Sequence, residues 1–125
     1  MSLYFDYGAT TPIREEVLDL MTRIWEEEYG NPSSLHDVGQ KAHDRLQHAR
    51  EQVAHAINAQ AREIIFTGSG TEANNLAIFG TAMARSTLGK HIIISQVEHP
   101  AVENPCRRLE DLGFHITRLP VDPFG

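Results

Sequence analysis

The apolar positions of this chain follow two habits. One is recurrence every three to four residues, which one face of a helix requires; the other is the short continuous run that suits a strand covered on both faces. Over residues 13–28 the first habit holds: Ile13, Val17, Leu20, Met21 and Ile24 share a side, and Gly30 with Pro32 ends the helix. Asn31-Pro32-Ser33-Ser34 is a turn cluster offering side-chain oxygens to cap a second helix, which runs to about Asn58 with Val38, Ala42, Leu46, Ala49, Val53 and Ile57 on its apolar face. The pattern then changes. Glu63-Ile64-Ile65-Phe66-Thr67 is short, apolar and β-branched, and predicts a strand. After a glycine-rich turn, residues 71–85 predict a helix with Leu76, Phe79 and Met83 inward, followed by a strand at His91–Ser95. Pro100 opens another helix, with Val102, Cys106, Leu109 and Leu112 on its apolar side; Gly113 closes it, and His115–Leu119 reads as a third strand.

Strand, helix, strand, helix, strand is the order of an α/β fold, because parallel neighbours need a long connection and a helix can cover the sheet while making it. In such open sheets ligands sit at the carboxyl ends of the strands. Val121-Asp122-Pro123-Phe124-Gly125 follows a strand with no helix to cover it, so the chain is expected to stop in mid-domain. With 125 residues, 41% hydrophobic and 22% charged, the composition is that of an ordinary soluble protein. Apolar runs such as Ile64 to Phe66 and Ile92 to Ile94 fall far short of the roughly 20 residues that cross a bilayer, and the cytoplasm is the expected address. A net charge of −6, from 11 basic and 17 acidic residues, disfavours nucleic-acid binding. Cys106, the single cysteine, rules out an internal disulfide and a cysteine metal cluster.

Chemistry concentrates in few places. Thr67-Gly68-Ser69-Gly70-Thr71-Glu72-Ala73 joins a strand end to a helix start, where free N–H groups and the positive end of the helix dipole meet an anion. A phosphate-binding turn and a plain helix cap both account for it. Gly68-x-Gly70-x-x-Ala73 also fits a dinucleotide fingerprint, but the acid that should end the next strand is missing, and no lysine follows the glycines as a nucleoside-triphosphate loop requires. His99 follows the second strand on the same sheet edge; it suits either stacking and proton exchange with a flat ligand or capping of the next helix. Asp44, His48, Glu51 and His55 gather on one helix face, which reads as solvated rather than as a metal site. Glu26-Glu27-Glu28 reads as a solvated helix end, and Cys106 as a core residue. Residues 6–12 suggest backbone lying close to something, or a loop that ends with Pro12 near the first helical position.

In register, Tyr4-Phe5-Asp6-Tyr7-Gly8-Ala9-Thr10-Thr11-Pro12, Gly30-Asn31-Pro32-Ser33-Ser34-Leu35-His36, Ile64-Ile65-Phe66-Thr67, Gly70-Thr71-Glu72-Ala73-Asn74-Asn75 and Glu98-His99-Pro100-Ala101-Val102 resemble the N-terminal part of the cysteine desulfurases, the NifS/IscS-like group of class V aminotransferases. The resemblance implies an incomplete large domain of the type I pyridoxal-phosphate-dependent transferase fold, a three-layer αβα arrangement. Residues 1–34 would belong with the small domain and residues 35–125 with the first part of the large one. It implies pyridoxal 5′-phosphate as cofactor, with Gly70 and Thr71 on its phosphate and His99 stacked on its ring as a catalytic residue that assists proton transfer. L-cysteine would be converted to L-alanine, its sulfur passing to an enzyme cysteine as a persulfide for iron–sulfur cluster or thio-cofactor assembly. A homodimer, or a complementary C-terminal half, is implied, with an iron–sulfur scaffold or other sulfur acceptor as partner.

Two local departures stand out: Gly68-Ser69 appears where the family has Ser-Gly, and Gly8 where it has Ala or Ser. The family's cofactor lysine, ring-pairing aspartate, substrate-binding arginine and persulfide cysteine belong to later parts of its chain. Only Lys41 and Lys90 occur here, and Lys90 precedes a strand that holds it about 17 Å from the carboxyl edge. The family's first strand lies across the sheet from the next two, so residues 63–67 are expected to lack a neighbour. A fragment inactive alone is the resulting expectation. Selenocysteine lyase or another class V enzyme, a dinucleotide-binding module, and a non-catalytic interaction piece are the alternatives.

Overall fold

The computed structural model describes residues 3–125; Met1 and Ser2, which open the expected 1–34 segment, lie outside them. The chain divides into two compact units, one ending at Ile65 and the other spanning Phe66–Gly125.

In the first unit, the Tyr4 hydroxyl donates to the carbonyls of Asp6 (2.9 Å) and Thr10 (3.2 Å) and closes a turn. Helix α1 (Glu15–Glu27) begins after Arg14, so Pro12 lies outside the helix rather than at its first position. Glu15 and Glu16 set negative charge against the positive helix end. The apolar side of α1 is real, but no residue of the helix is buried, and Trp25 is 67% exposed. Helix α2 (Asp37–Ala56) is capped by the His36 ring, whose Nδ1 accepts from Gly39 N at 3.3 Å. The expected capping oxygens serve the preceding turn instead: Asn31 Oδ1 accepts from Ser33 N at 2.9 Å.

Gly39 is buried where a Cβ would stand 2.5 Å from the Ser34 carbonyl oxygen, and a Cβ on Gly30 would stand within 2.7 Å of the Val38 carbonyl carbon. These two glycines let the turn press against the start of α2. The helix ends as the sequence predicts: Asn58, at φ 55°, takes the left-handed position, and Ala59 N donates to Ala54 O at 2.8 Å. The Glu28–Arg45 ion pair ties the loop after α1 to α2 and lowers the Glu28 pKa through its hydrogen bonds.

The expected strand at residues 63–67 does not form. Ala61–Glu63 is a 3-10 turn in which Gln60 and Glu63 cap one another. Ile64 has extended backbone angles, yet residues 64–67 join no sheet, and Ile65 is 67% exposed. Apolar β-branched side chains favour extended backbone, but a ladder needs a neighbour to take its N–H and C=O groups.

The second unit holds the core. Helix α3 (Gly70–Ala84) leads to strand β1 (His91–Ser95), helix α4 (Pro100–Asp111) and strand β2 (His115–Leu119). The strands have the predicted bounds and pair in parallel, Ile92 opposite Ile116 and Ile94 opposite Arg118. Ala82, Cys106, Leu109, Phe114 and Ile116 form the buried cluster, with Ile78, Phe79, Ile92, Ile94 and Val102 against it. Thus α3 turns Ile78, Phe79 and Ala82 inward, while Leu76 and Met83, expected inside, are exposed. The helix is apolar on nearly every side, so periodicity alone could not select its inner face. Leu112 is likewise exposed, because α4 ends before it. Pro105 is buried within α4, and Gly113 takes φ +83° to turn the chain into β2. On the other sheet face Ile93 is 57% exposed, and among the described residues no element covers it.

Candidate functional site

At the start of α3 the backbone N–H groups are shared out unequally. Ser69 is the N-cap, its Oγ accepting from Glu72 N at 3.2 Å, and Glu72 Oε2 accepts from Gly68 N at 2.7 Å. The Thr67 hydroxyl donates to Ser69 O at 3.0 Å, and Asn75 Nδ2 donates to Thr71 O at 2.8 Å. Among the described residues the N–H groups of Gly70 and Thr71 meet no acceptor, as the first turn of a helix dictates. A Cβ on Gly70 would find nothing within 4 Å, so packing within this chain does not explain the glycine. In the Gly68-Ser69 order Ser69 Oγ is the helix cap, and the Thr71 hydroxyl is a side-chain donor beside the free amides.

His99 is the N-cap of α4: its Nδ1 accepts from Ala101 N at 3.0 Å. An accepting Nδ1 puts the ring proton on Nε2, and the cap holds the imidazole by one edge with the rest exposed. Both readings of this residue thus meet in one geometry, since capping uses a single ring nitrogen.

Strand direction relates the two places. His99 follows β1 at its carboxyl end, where Gln96 N still donates to Leu119 O at 2.8 Å. The later turns of α3 line a cleft of about 360 Å³ with His91, Ile92 and Phe114 at the opposite, amino edge of the strands. Helix α3 therefore runs against the strands, and its first turn, like that of α4, lies toward their carboxyl edge.

Other candidates resolve simply. Lys90 immediately precedes β1, its Nζ 5.7 Å from the Phe114 ring centroid, at the edge away from His99. Cys106 is fully buried, and burial raises its thiol pKa, as befits a core residue. The polar face of α2 is solvated: His48 Nδ1 lies 3.9 Å from Glu51, both well exposed, and no group of three metal-ligating side chains occurs among the described residues. Among the described residues no helix is long and apolar enough to cross a membrane.

Sequence reasoning missed two features. Ser69-x-x-Glu72 is the capping-box signature, legible from spacing alone. Arg118 of β2 forks onto Glu103 (2.9 Å) and Glu110 (2.9 Å), and its hydrogen bonds hold both carboxyl pKa values below their ordinary range. Glu103 and Glu110 are seven apart on α4, but nothing in the sequence said which residue of β2 faces them. The fork fastens α4, which His99 caps, to the sheet.

Comparison with known proteins bears on the fold and the family. Over 98% of its length the chain is 55% identical to a cysteine desulfurase IscS of Dictyoglomus turgidum, of which it spans 31%. Among solved structures it is similar to a NifS-like protein (TM-score 0.90, 36% identity, 98% of this chain and 34% of that one). It is also similar to a protein described as SspA in complex with cysteine (TM-score 0.85, 41% identity, 94% and 34%). The mixed helical and parallel-sheet architecture is the N-terminal part of the fold of these NifS-like enzymes. The sequence pattern of the family Aminotransferase class-V matches residues 3–125, and the chain belongs to that family, with its similarity to the N-terminal region of the IscS/NifS cysteine desulfurases.

Proposed function

We propose that this chain supplies the phosphate cradle and the ring-stacking histidine of a pyridoxal-phosphate-dependent cysteine desulfurase. Such an enzyme converts L-cysteine to L-alanine and carries the sulfur as a persulfide on its own cysteine. The observation that carries the reading is the pair of helix starts on one sheet edge, one presenting free amides and the other an imidazole held by its cap.

The donor set fits a phosphate: Gly70 N–H, Thr71 N–H and the Thr71 hydroxyl are all donors at a positive helix end, and the space beside Gly70 is open. Pyridoxal phosphate, when bound, supplies an electron sink that makes bond breaking at the substrate α-carbon accessible. His99 offers the exposed part of its ring to a flat partner and carries at Nε2 the proton it would exchange, while Nδ1 stays engaged with Ala101 N. Lys90 sits at the wrong edge for covalent attachment, and Lys41 matches no lysine of the family pattern.

The lysine, the persulfide cysteine and the substrate-binding arginine would come from the remainder of the family's length, so this chain alone is expected to be inactive. Residues 1–34 would join the small domain and residues 35–125 the large one. A homodimer or a complementary C-terminal half, a sulfur acceptor such as an iron–sulfur scaffold, and a cytoplasmic location complete the reading.

The test is a chimera in which residues 3–125 replace the matching region of the Dictyoglomus turgidum enzyme. It should release alanine from cysteine, and His99→Ala should lower the rate by about 100-fold with cofactor still bound. A folded chimera that holds the cofactor yet is inactive, or one indifferent to His99→Ala, contradicts the proposal. Alanine formation by the isolated chain with added cofactor contradicts the expected inactivity.

A further inference from the structure

In the usual capping box the acid at the third helical position reaches back to the N–H of the N-cap residue itself. Here Glu72 occupies the third position after the Ser69 cap, but its Oε2 reaches one residue further, to Gly68 N at 2.7 Å. The shift changes which donors are left. Gly68 N is taken by Glu72 Oε2 and Glu72 N by Ser69 Oγ, so the amides of Ser69, Gly70 and Thr71 stay consecutive and without an acceptor among the described residues. The turn is tied again by the Thr67 hydroxyl on Ser69 O. Gly68 belongs to the same device, because a Cβ there would lie 3.3 Å from Glu72 Oε2 and crowd the carboxylate.

We infer that Glu72 is a positioning residue for the phosphate group: by drawing in Gly68 N–H rather than Ser69 N–H, it presents the three amides of Ser69, Gly70 and Thr71 together. The inference rests on the cofactor reading above and extends it to a residue that touches the turn, not the ligand. An acceptor at position 72 is what the geometry requires; a negative charge near a phosphate is not, so an uncharged acceptor serves as well.

The test is calorimetric titration of the full chain with 4′-deoxypyridoxine 5′-phosphate, which has no aldehyde to react with Lys41 or Lys90, and with its unphosphorylated counterpart. The wild-type chain should bind the phosphorylated ligand at least about tenfold more tightly than the other. Glu72→Ala should weaken the phosphorylated ligand about tenfold and leave the unphosphorylated one unchanged, while Glu72→Gln, which keeps an oxygen for Gly68 N–H, should stay within about threefold of wild type. Amide exchange without ligand should show Gly68 protected in wild type and Glu72→Gln and unprotected in Glu72→Ala, with Ser69, Gly70 and Thr71 exchanging freely in all three. Wild-type affinity in Glu72→Ala, or an equal loss in Glu72→Gln, overturns the role of Glu72 and leaves the cofactor reading intact. A wild-type chain without preference for the phosphorylated ligand overturns the cofactor reading, and this inference with it.

Discussion

The unit Phe66–Gly125 and the unit ending at Ile65 handle their apolar groups differently. In the first, two helices cover one face of a parallel strand pair, and Cys106 and Leu109 are sealed from solvent. In the second, α1 buries nothing, and α2 buries only Gly39 and Ala54. What holds the unit Phe66–Gly125 is a layered apolar core; what shapes the unit ending at Ile65 is local chemistry, made of caps, tight glycine contacts and the Glu28–Arg45 pair. Layers lock a backbone because each buries the other's apolar face, whereas caps and turns fix only the few residues that make them. Both helix starts assigned to the cofactor lie in the layered unit, where their mutual position is held by packing.

Leu109→Ala should produce the largest effect. Leu109 is fully buried, and the cavity should cost about 3 kcal/mol, seen as loss of amide protection through His91–Ser95 and His115–Leu119 in denaturant-dependent exchange. The α2 amides should be unaffected; if they lose protection equally, the two units are not separate in stability.

Gly39→Ala probes the other unit. Its Cβ would meet the Ser34 carbonyl oxygen at 2.5 Å, so the start of α2 should shift or fray at about 2 kcal/mol, read from exchange of the first α2 amides. Gly70→Ala is the contrast, since nothing lies within 4 Å, and it should leave stability unchanged or raise it by up to about 1 kcal/mol. Equal behaviour of the two alanines would mean that close packing does not distinguish the glycines.

His99→Ala removes the α4 cap and should cost about 1 kcal/mol in thermal unfolding, whereas His99→Asn should restore most of it through its side-chain oxygen. The asparagine variant separates cap from ring: stability should return, and the part of the ligand affinity that stacking on the imidazole adds should not.

The smallest effect concerns acid. Arg118 holds Glu103 and Glu110 below their ordinary pKa of 4.5, so the fork stabilises the folded state above that value, and the contribution is lost as pH falls through the lowered values. Arg118→Met should remove this acid-dependent part, giving a flatter stability profile between about pH 5 and pH 2. Parallel profiles would mean that the pairs add nothing measurable.

Helix α2 and its end, both strands with their bounds, and the start of α4 were legible in the sequence, since periodicity, Asn58, the β-branched runs and Pro100 are local signals. Residues 63–67 carry the same signal as β1 but form no strand, because pairing depends on a neighbour and not on the run itself. The inner face of α3 was illegible for a related reason: Leu76 and Met83 are as apolar as Ile78, and only the sheet decides between them. At the site, the sequence put Gly70, Thr71 and His99 on one edge through a strand at residues 63–67 that does not form; in the structure it is the direction of α3 against β1 and β2 that brings the start of α3 to the edge of His99. The hydrogen bonds that select which amides remain free, through Ser69 and Glu72, needed coordinates.

In the reading proposed above, the first turn of α3 and the His99 ring bind one ligand. Chemical-shift mapping of the labelled chain during titration with 4′-deoxypyridoxine 5′-phosphate tests it most directly. Saturable shifts are expected at the amides of Ser69, Gly70 and Thr71 and, with the same dissociation constant, at the His99 ring. Shifts confined to one of these two places, or centred on the charged face of α2, would contradict it.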